Sequence, residues 1–172
     1  SSRRSKDEDL DAFQRELIDL TPRLRRFART LARDAAEADD LVQTGLERAL
    51  RRRASFKEGT RLDAWMFAIL KNAWIDEARS RRRGARVIAS GVEVESLGAA
   101  NETSTDPLER TRIERALLSL PEDQRLAVVL VLVEGLSYGE AAQALGVPQG
   151  TLTSRLGRGR AQLMVELEEV GQ

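Results

Sequence analysis

From residue 10 to residue 31 the large apolar side chains fall at alternating steps of three and four: Leu10, Phe13, Leu17, Leu20, Leu24, Phe27 and Leu31. That spacing draws one stripe along a helix and cannot lie on one face of a strand, where side chains alternate every second residue. No other stretch alternates convincingly either. The run VVLVLV (128–133) has strand propensity, but the capping residues and helical pattern around it favour a buried helix. The expected fold class is therefore all-α, as two small helical domains joined by a flexible linker, the second containing a helix-turn-helix.

Caps and breakers set the expected boundaries. Thr21-Pro22 predicts a break, the threonine capping and the proline opening a second helical piece. Asp34 with Glu37 is a capping-box signal for a helix carrying Ala38, Leu41, Leu46 and Ala49. After FKEG, Thr60 with Asp63 is expected to cap a long helix reaching about Arg82 and ending in the basic run RSRRRG. Residues 8–83 thus read as one domain. From Val87 to Asp106 there are four acids and no base among small and polar residues, so 84–106 reads as a linker. Asp106-Pro107 and Leu120-Pro121 each open a further helix, the second running to Gly135. Ser137 with Glu140 caps a short helix that Gly146 ends, and a last helix runs from about Pro148 to Val170, giving a second domain over 107–170. A linker of about twenty residues predicts domains that are mobile when free.

The chain has no cysteine and no histidine, which removes disulfides, thiolate chemistry, the usual zinc ligands and the commonest general base at neutral pH. No nucleophile–base pair, metal cluster or phosphate loop is found, so neither an enzyme nor a cofactor is expected. No apolar run is long enough to span a bilayer, and the opening SSRRSKDEDL is too polar for a signal peptide, so a cytoplasmic protein without membrane insertion is expected. The zero net charge hides an asymmetry: residues 1–90 hold 21 Lys/Arg against 15 Asp/Glu, and 91–172 hold 7 against 13. A near-neutral total is thus no argument against a nucleic-acid partner.

The stretch GLSYGEAAQALGVPQGTLTSRLGRGRAQL fits a helix-turn-helix. Ala141 and Ala142 are small where two helices cross, and Leu145, Val147, Leu152 and Leu156 fill the core beneath. On the last helix Thr151, Ser154, Arg155 and Arg158 share one face, while Leu152, Leu156, Gly159 and Leu163 share the opposite one. Gly159 would allow close packing, and Gly157, at the edge of the polar face, would let backbone approach a nucleic-acid strand. The arginines can bond guanine edges or hold phosphates, and Gln149, Thr151 and Ser154 can bond bases or backbone.

Three stretches carry a specific resemblance: ADDLVQTGLERAL (38–50), FKEGTRLDAWMFAILKNAWIDEARSRRR (56–83) and LLSLPEDQRLAVVLVLVEGLSYGEAAQALGVPQGTLTSRLGRGRAQL (117–163). In order and spacing they resemble a bacterial sigma factor of the extracytoplasmic-function (ECF) group. ELIDLTPRLRRFARTL, ADDLVQ and GTRLDAWMFAILKN are similar to its general-stress-response branch. The resemblance implies a protein that binds core RNA polymerase, contacting its largest and second-largest subunits, places it at promoter DNA and helps to open the duplex. It also implies control by an anti-sigma factor and no small-molecule substrate.

Residue by residue, it implies that Asp40, Leu41, Val42 and Gln43, extended by Glu47 and Arg48, dock on the polymerase. The loop 55–61 and the following helix would capture a flipped base and read the −10 element, through Phe56, Lys57, Arg61, Lys71, Asn72, Trp74 and Arg79. The last helix would enter the major groove of the −35 element with Gln149, Thr151, Thr153, Ser154, Arg155 and Arg158. In the linker, Glu93, Glu95, Glu102 and Asp106 would imitate nucleic-acid charge inside the polymerase. Thr44 and Gly45 stand where the family often has a glutamate and a bulkier residue, and Thr153 and Gly157 where it often has a basic and a larger one. Two other classes compete: a sigma-like decoy that only sequesters an anti-sigma factor, and a plain helix-turn-helix regulator. The decoy is expected to show degraded DNA-facing residues, and the regulator has no need of the DLVQ domain.

Overall fold

A computed structural model describes residues 2–88 and 112–170, all of whose regular elements are helical. Helix α1 spans Ser2–Arg29 and α2 spans Ala35–Arg51; a single tight turn, Arg53–Ser55, leads through a loop into α3, Leu62–Ile88. Then come α4 (Arg112–Ser119), α5 (Glu122–Val128), a widened turn over Val129–Val133, α6 (Tyr138–Leu145) and α7 (Gln149–Val170). The proposed linker from residue 89 onward, its four acids and the helix start at Asp106-Pro107 lie outside the described residues.

The stripe of α1 buries Phe13, Leu17, Leu24 and Phe27 against Leu41 of α2 and Met66, Phe67 and Leu70 of α3. The break expected at Thr21-Pro22 is absent: α1 runs straight through Pro22. Proline there removes the bond to the carbonyl of Ile18, but both residues face solvent, where water can satisfy that oxygen. The Thr21 hydroxyl does not cap; it donates to the Leu17 carbonyl at 3.1 Å.

Asp34 caps α2 as expected, its carboxylate accepting from the Glu37 amide at 2.8 Å, while Glu37 reaches one residue further back and accepts from the Arg33 amide. The cap expected from Thr60 and Asp63 does not form. Thr60 donates its hydroxyl to the Lys57 carbonyl, and Asp63 is buried and held by arginines. Helix α3 also continues past the expected end at Arg82.

In the second unit, Val128–Val133 is helical despite its β-branched content, because Val128, Val129 and Leu130 are buried. Crowding relaxes the last turn into a wider one, with the Glu134 amide bonding the Val129 carbonyl at 2.9 Å. Gly135, at φ +72°, ends it. The Ser137–Glu140 capping box is complete, and Gly146, at φ +66°, makes the left-handed turn into α7.

The expectation of mobile domains concerns motion, and what the structure gives is one closed arrangement. Helix α6 packs directly on α3, so the two units share one continuous core.

Candidate nucleic-acid interface

Helix α7 sorts its residues as its sequence period demands. Leu152 and Leu156 are buried and Leu163 is partly so, while Gln149, Thr153, Ser154 and Arg158 are exposed, with Thr151 and Arg155 half-buried. Gly159 faces α5 so closely that an added Cβ would lie 2.7 Å from Val128 Cγ2 and 3.1 Å from the Gln124 carbonyl. Gly157 opens onto free space. The Thr153 hydroxyl donates to the Gln149 carbonyl at 2.9 Å, and Arg155 leans toward Asp123 at 3.5 Å.

On α2 the predicted polymerase-facing set divides. Asp40, Gln43 and Glu47 are exposed and Arg48 is half-buried, bonding Asp76 at 2.8 Å. Leu41 and Val42 are core residues at 0% and 3% exposure. Both belong to the core shared with α1 and α3, so in this conformation the outward surface of α2 is made by the exposed residues around them. Gly45 has a packing reason that the sequence did not disclose. A Cβ there would collide with Leu70 Cδ2 and lie 3.3 Å from its Cγ, so glycine lets α2 cross α3 closely.

The loop before α3 is anchored by aromatics. The Phe56 ring lies 6.0 Å from Phe13 and 5.2 Å from Trp65, and Arg53 stacks 4.2 Å over Phe13. Phe56 is thus partly buried as a loop anchor, beside a cleft lined by Phe13, Arg53, Phe56, Thr60 and Leu62. Lys57, Asn72 and Arg79 are exposed.

Three more of the −10 candidates point elsewhere, toward the second unit. Arg61 donates to the Gly135 carbonyl at 3.0 Å and meets Glu140 at 3.4 Å; Lys71 donates to the Leu145 carbonyl at 3.3 Å; the Trp74 indole donates to Glu122 at 3.4 Å. Burial pushes the Lys71 ammonium below the usual lysine range. Lys71 and Arg155, assigned to opposite ends of a promoter, line one crevice with Glu122, Asp123 and Leu145.

Four charged residues at this seam, Arg23, Arg26, Arg125 and Glu134, carry no signal in the local sequence pattern. Arg23 and Arg26 of α1 both bond the Glu134 carboxylate, and Arg23 also bonds Asp63 at 3.0 Å. Arg125 donates to the Thr30 carbonyl at 2.6 Å across the seam and to the Leu117 and Leu120 carbonyls within its own unit. For Asp63, burial acts to raise the pKa, but the bonds from Arg61, Arg23 and the Ala64 amide outweigh it and hold the carboxyl below its ordinary value. Among the described residues no group of acids could hold a metal ion, and no helix is long and apolar enough to cross a membrane.

Comparison with known proteins gives the family. Residues 18–84 match the family described as Sigma-70 region 2, and residues 110–163 match Sigma-70, region 4. The ECF RNA polymerase sigma factor EcfG of Rhodopseudomonas palustris is 40% identical over 153 residues, which cover 89% of this chain and 83% of that protein. The sigma factor RpoE of Bartonella quintana, solved with the anti-sigma factor NepR, superposes with a TM-score of 0.74 at 35% identity, covering 91% of this chain and 97% of that one. CnrH, solved with the cytosolic domain of CnrY, gives a TM-score of 0.62 at 26% identity, covering 95% and 94%. With both regions present in order and two all-helical units to hold them, the chain belongs to the sigma-70 family, as an ECF-type RNA polymerase sigma factor.

Proposed function

We propose that this sigma factor docks on core RNA polymerase through Asp40, Gln43 and Glu47 on the outer face of α2, with Arg48 beside them. The loop 55–61 and α3 read and hold the opened −10 strand, using Lys57, Arg61, Lys71, Asn72, Trp74 and Arg79 around the anchor Phe56. Helix α7 reads the −35 duplex with Gln149, Thr151, Thr153, Ser154, Arg155 and Arg158. The functional units are taken as 8–83 and 107–170, with 84–106 between them. The protein works in the cytoplasm without a catalytic role of its own. An anti-sigma factor restrains it, by analogy with the NepR and CnrY complexes of its structural relatives.

The observation that supports this reading best is the sorting of α7. Its buried face is all leucine and glycine, and its outer face offers hydroxyls, an amide and guanidinium groups, the donor set that reads base edges and phosphates in a major groove. Holding an opened strand needs a loop fixed on a rigid frame, and the aromatic packing of Phe56 on Phe13 and Trp65 fixes the loop before α3 in that way.

Run-off transcription with sigma-free core polymerase on a promoter library tests it. Specific initiation is expected, lost in Asp40→Ala/Gln43→Ala and, separately, in Arg155→Ala/Arg158→Ala. A folded protein that supports no initiation on any promoter of the library would refute the reading and leave the decoy role in its place.

A further inference from the structure

Glu134 carries a side chain with 0% exposure, and every side-chain bond it makes crosses from the second unit to the first. Arg23 Nε and Arg26 Nε and Nη2 each donate to its carboxylate at 3.0 Å, and Arg23 Nη2 lies 3.0 Å from Oε2 and 3.3 Å from the Glu134 backbone carbonyl. A buried carboxylate is stable only with such partners, and none of them belongs to its own domain. Arg61 extends the cluster by joining Asp63 to Gly135 and Glu140. Along the same seam, Lys71, Trp74 and Arg125 complete a row of donors aimed at acceptors of the other unit. The groups used to close the molecule thus include three, Arg61, Lys71 and Trp74, that the proposed function needs for the −10 strand.

From this we infer that the free chain inhibits itself: the second unit folds onto α3, Glu134 latches it to Arg23 and Arg26, and the −10-reading face is withheld until the seam opens. The inference rests on the −10 assignment for its consequence but not for the latch itself. Exchange of the Glu134 partners for water, and of the seam donors for phosphates, gives both closed and open forms satisfied polar groups, which is what a reversible switch requires.

The absence of cysteine makes the test clean. Spin labels on Ala36→Cys and Ala161→Cys, both exposed positions one in each unit, report the interdomain distance in the full chain by pulsed EPR. The parent chain is expected to give one narrow short distance at low salt. Glu134→Gln and Arg26→Ala, made from opposite sides of the latch, are each expected to broaden and lengthen it. The pair together should do little more than either alone, because they break the same bonds. Circular dichroism checks that helix content is kept.

In parallel, a labelled single strand carrying the −10 sequence found in the transcription assay is titrated into each free chain. Opening should tighten its binding by about tenfold, as expected when a closed state had taxed the competent one. A broad, long distance in the parent chain would overturn the latch whatever the variants do, as would distances that neither substitution moves. Opening with no gain in strand binding would overturn self-inhibition, while the transcription assay judges the −10 assignment separately.

Discussion

Gly157 and Gly159 stand two residues apart in the same helix, and the structure predicts opposite outcomes for the same change. Replacing a glycine inside a helix by alanine gains about 1 kcal/mol of helix propensity if nothing else changes. At position 157 nothing else does: the site is exposed and a new Cβ meets no atom within 4 Å. At 159 the same Cβ would lie 2.7 Å from Val128 Cγ2, on a side chain that is 1% exposed, and 3.1 Å from the Gln124 carbonyl, which is helix backbone. Neither neighbour can yield without moving α5 away from α7, and such overpacking costs about 1–3 kcal/mol.

Gly159→Ala therefore ends between neutral and about 2 kcal/mol destabilised, and the two alanine variants differ by about 1–3 kcal/mol. In a chain of this size each kcal/mol moves Tm by about 2–4 °C, so urea and thermal unfolding followed by circular dichroism resolve the difference. Equal stabilisation by both changes would refute the claim that close helix approach is why residue 159 is glycine. The same pair separates folding from recognition. If backbone at 157 approaches a strand, Gly157→Ala strengthens the fold while weakening −35 binding.

Three further outcomes follow from the same geometry. Ser137→Ala removes the hydroxyl that accepts the Glu140 amide at 3.1 Å and should cost about 1 kcal/mol in urea unfolding, with α6 fraying first by hydrogen exchange. Asp63 has its pKa lowered in the folded protein, so the stability it contributes is complete above the ordinary carboxylate pKa and is lost as pH falls through the lower, folded value. Unfolding midpoints measured downward from pH 5 should fall with acid, and Asp63→Asn should start lower but flatten that slope. Arg158→Ala, exposed on the outer face of α7, should weaken binding to −35 duplexes and reduce the salt dependence of log K by about one unit if it holds a phosphate; a loss confined to one base pair would assign it to base reading instead.

What could be read in the sequence was whatever depends on local period and short spacing. The stripe of α1, the Asp34 cap, the Ser137–Glu140 box and the two faces of α7 all come from residues within one or two turns of each other, where geometry follows from numbering alone. Thr60 and Asp63 had the same local signature and still failed. A capping box at the surface competes only with water, but here two arginines offered Asp63 charged bonds in a buried place, and these outweigh a single amide. Thr21-Pro22 failed for a related reason: burial of Leu17, Leu24 and Phe27 on one face of α1 stabilises a continuous helix beyond the cost of one missing bond on the other.

The seam between the two units depends on a different kind of information. Arg26 and Glu134 are 108 residues apart, and nothing in either neighbourhood marks them as partners. An arginine on the polar side of α1 and a glutamate at a helix end each look solvated when read alone. Only the wide turn at Val129–Val133 and the packing of α6 on α3 bring the carboxylate under both guanidinium groups. The net charges of the two halves of the chain carry a trace of it: the half with the excess of Lys/Arg closes on the half with the excess of Asp/Glu. On the proposed reading, the seam donors Arg61, Lys71 and Trp74 exchange their bonds to the second unit for bonds to DNA when the −10 strand binds. In that scheme the apparent affinity for the −10 strand is the intrinsic affinity multiplied by the fraction of molecules that are open, and regulation can act on that fraction without touching a single DNA contact.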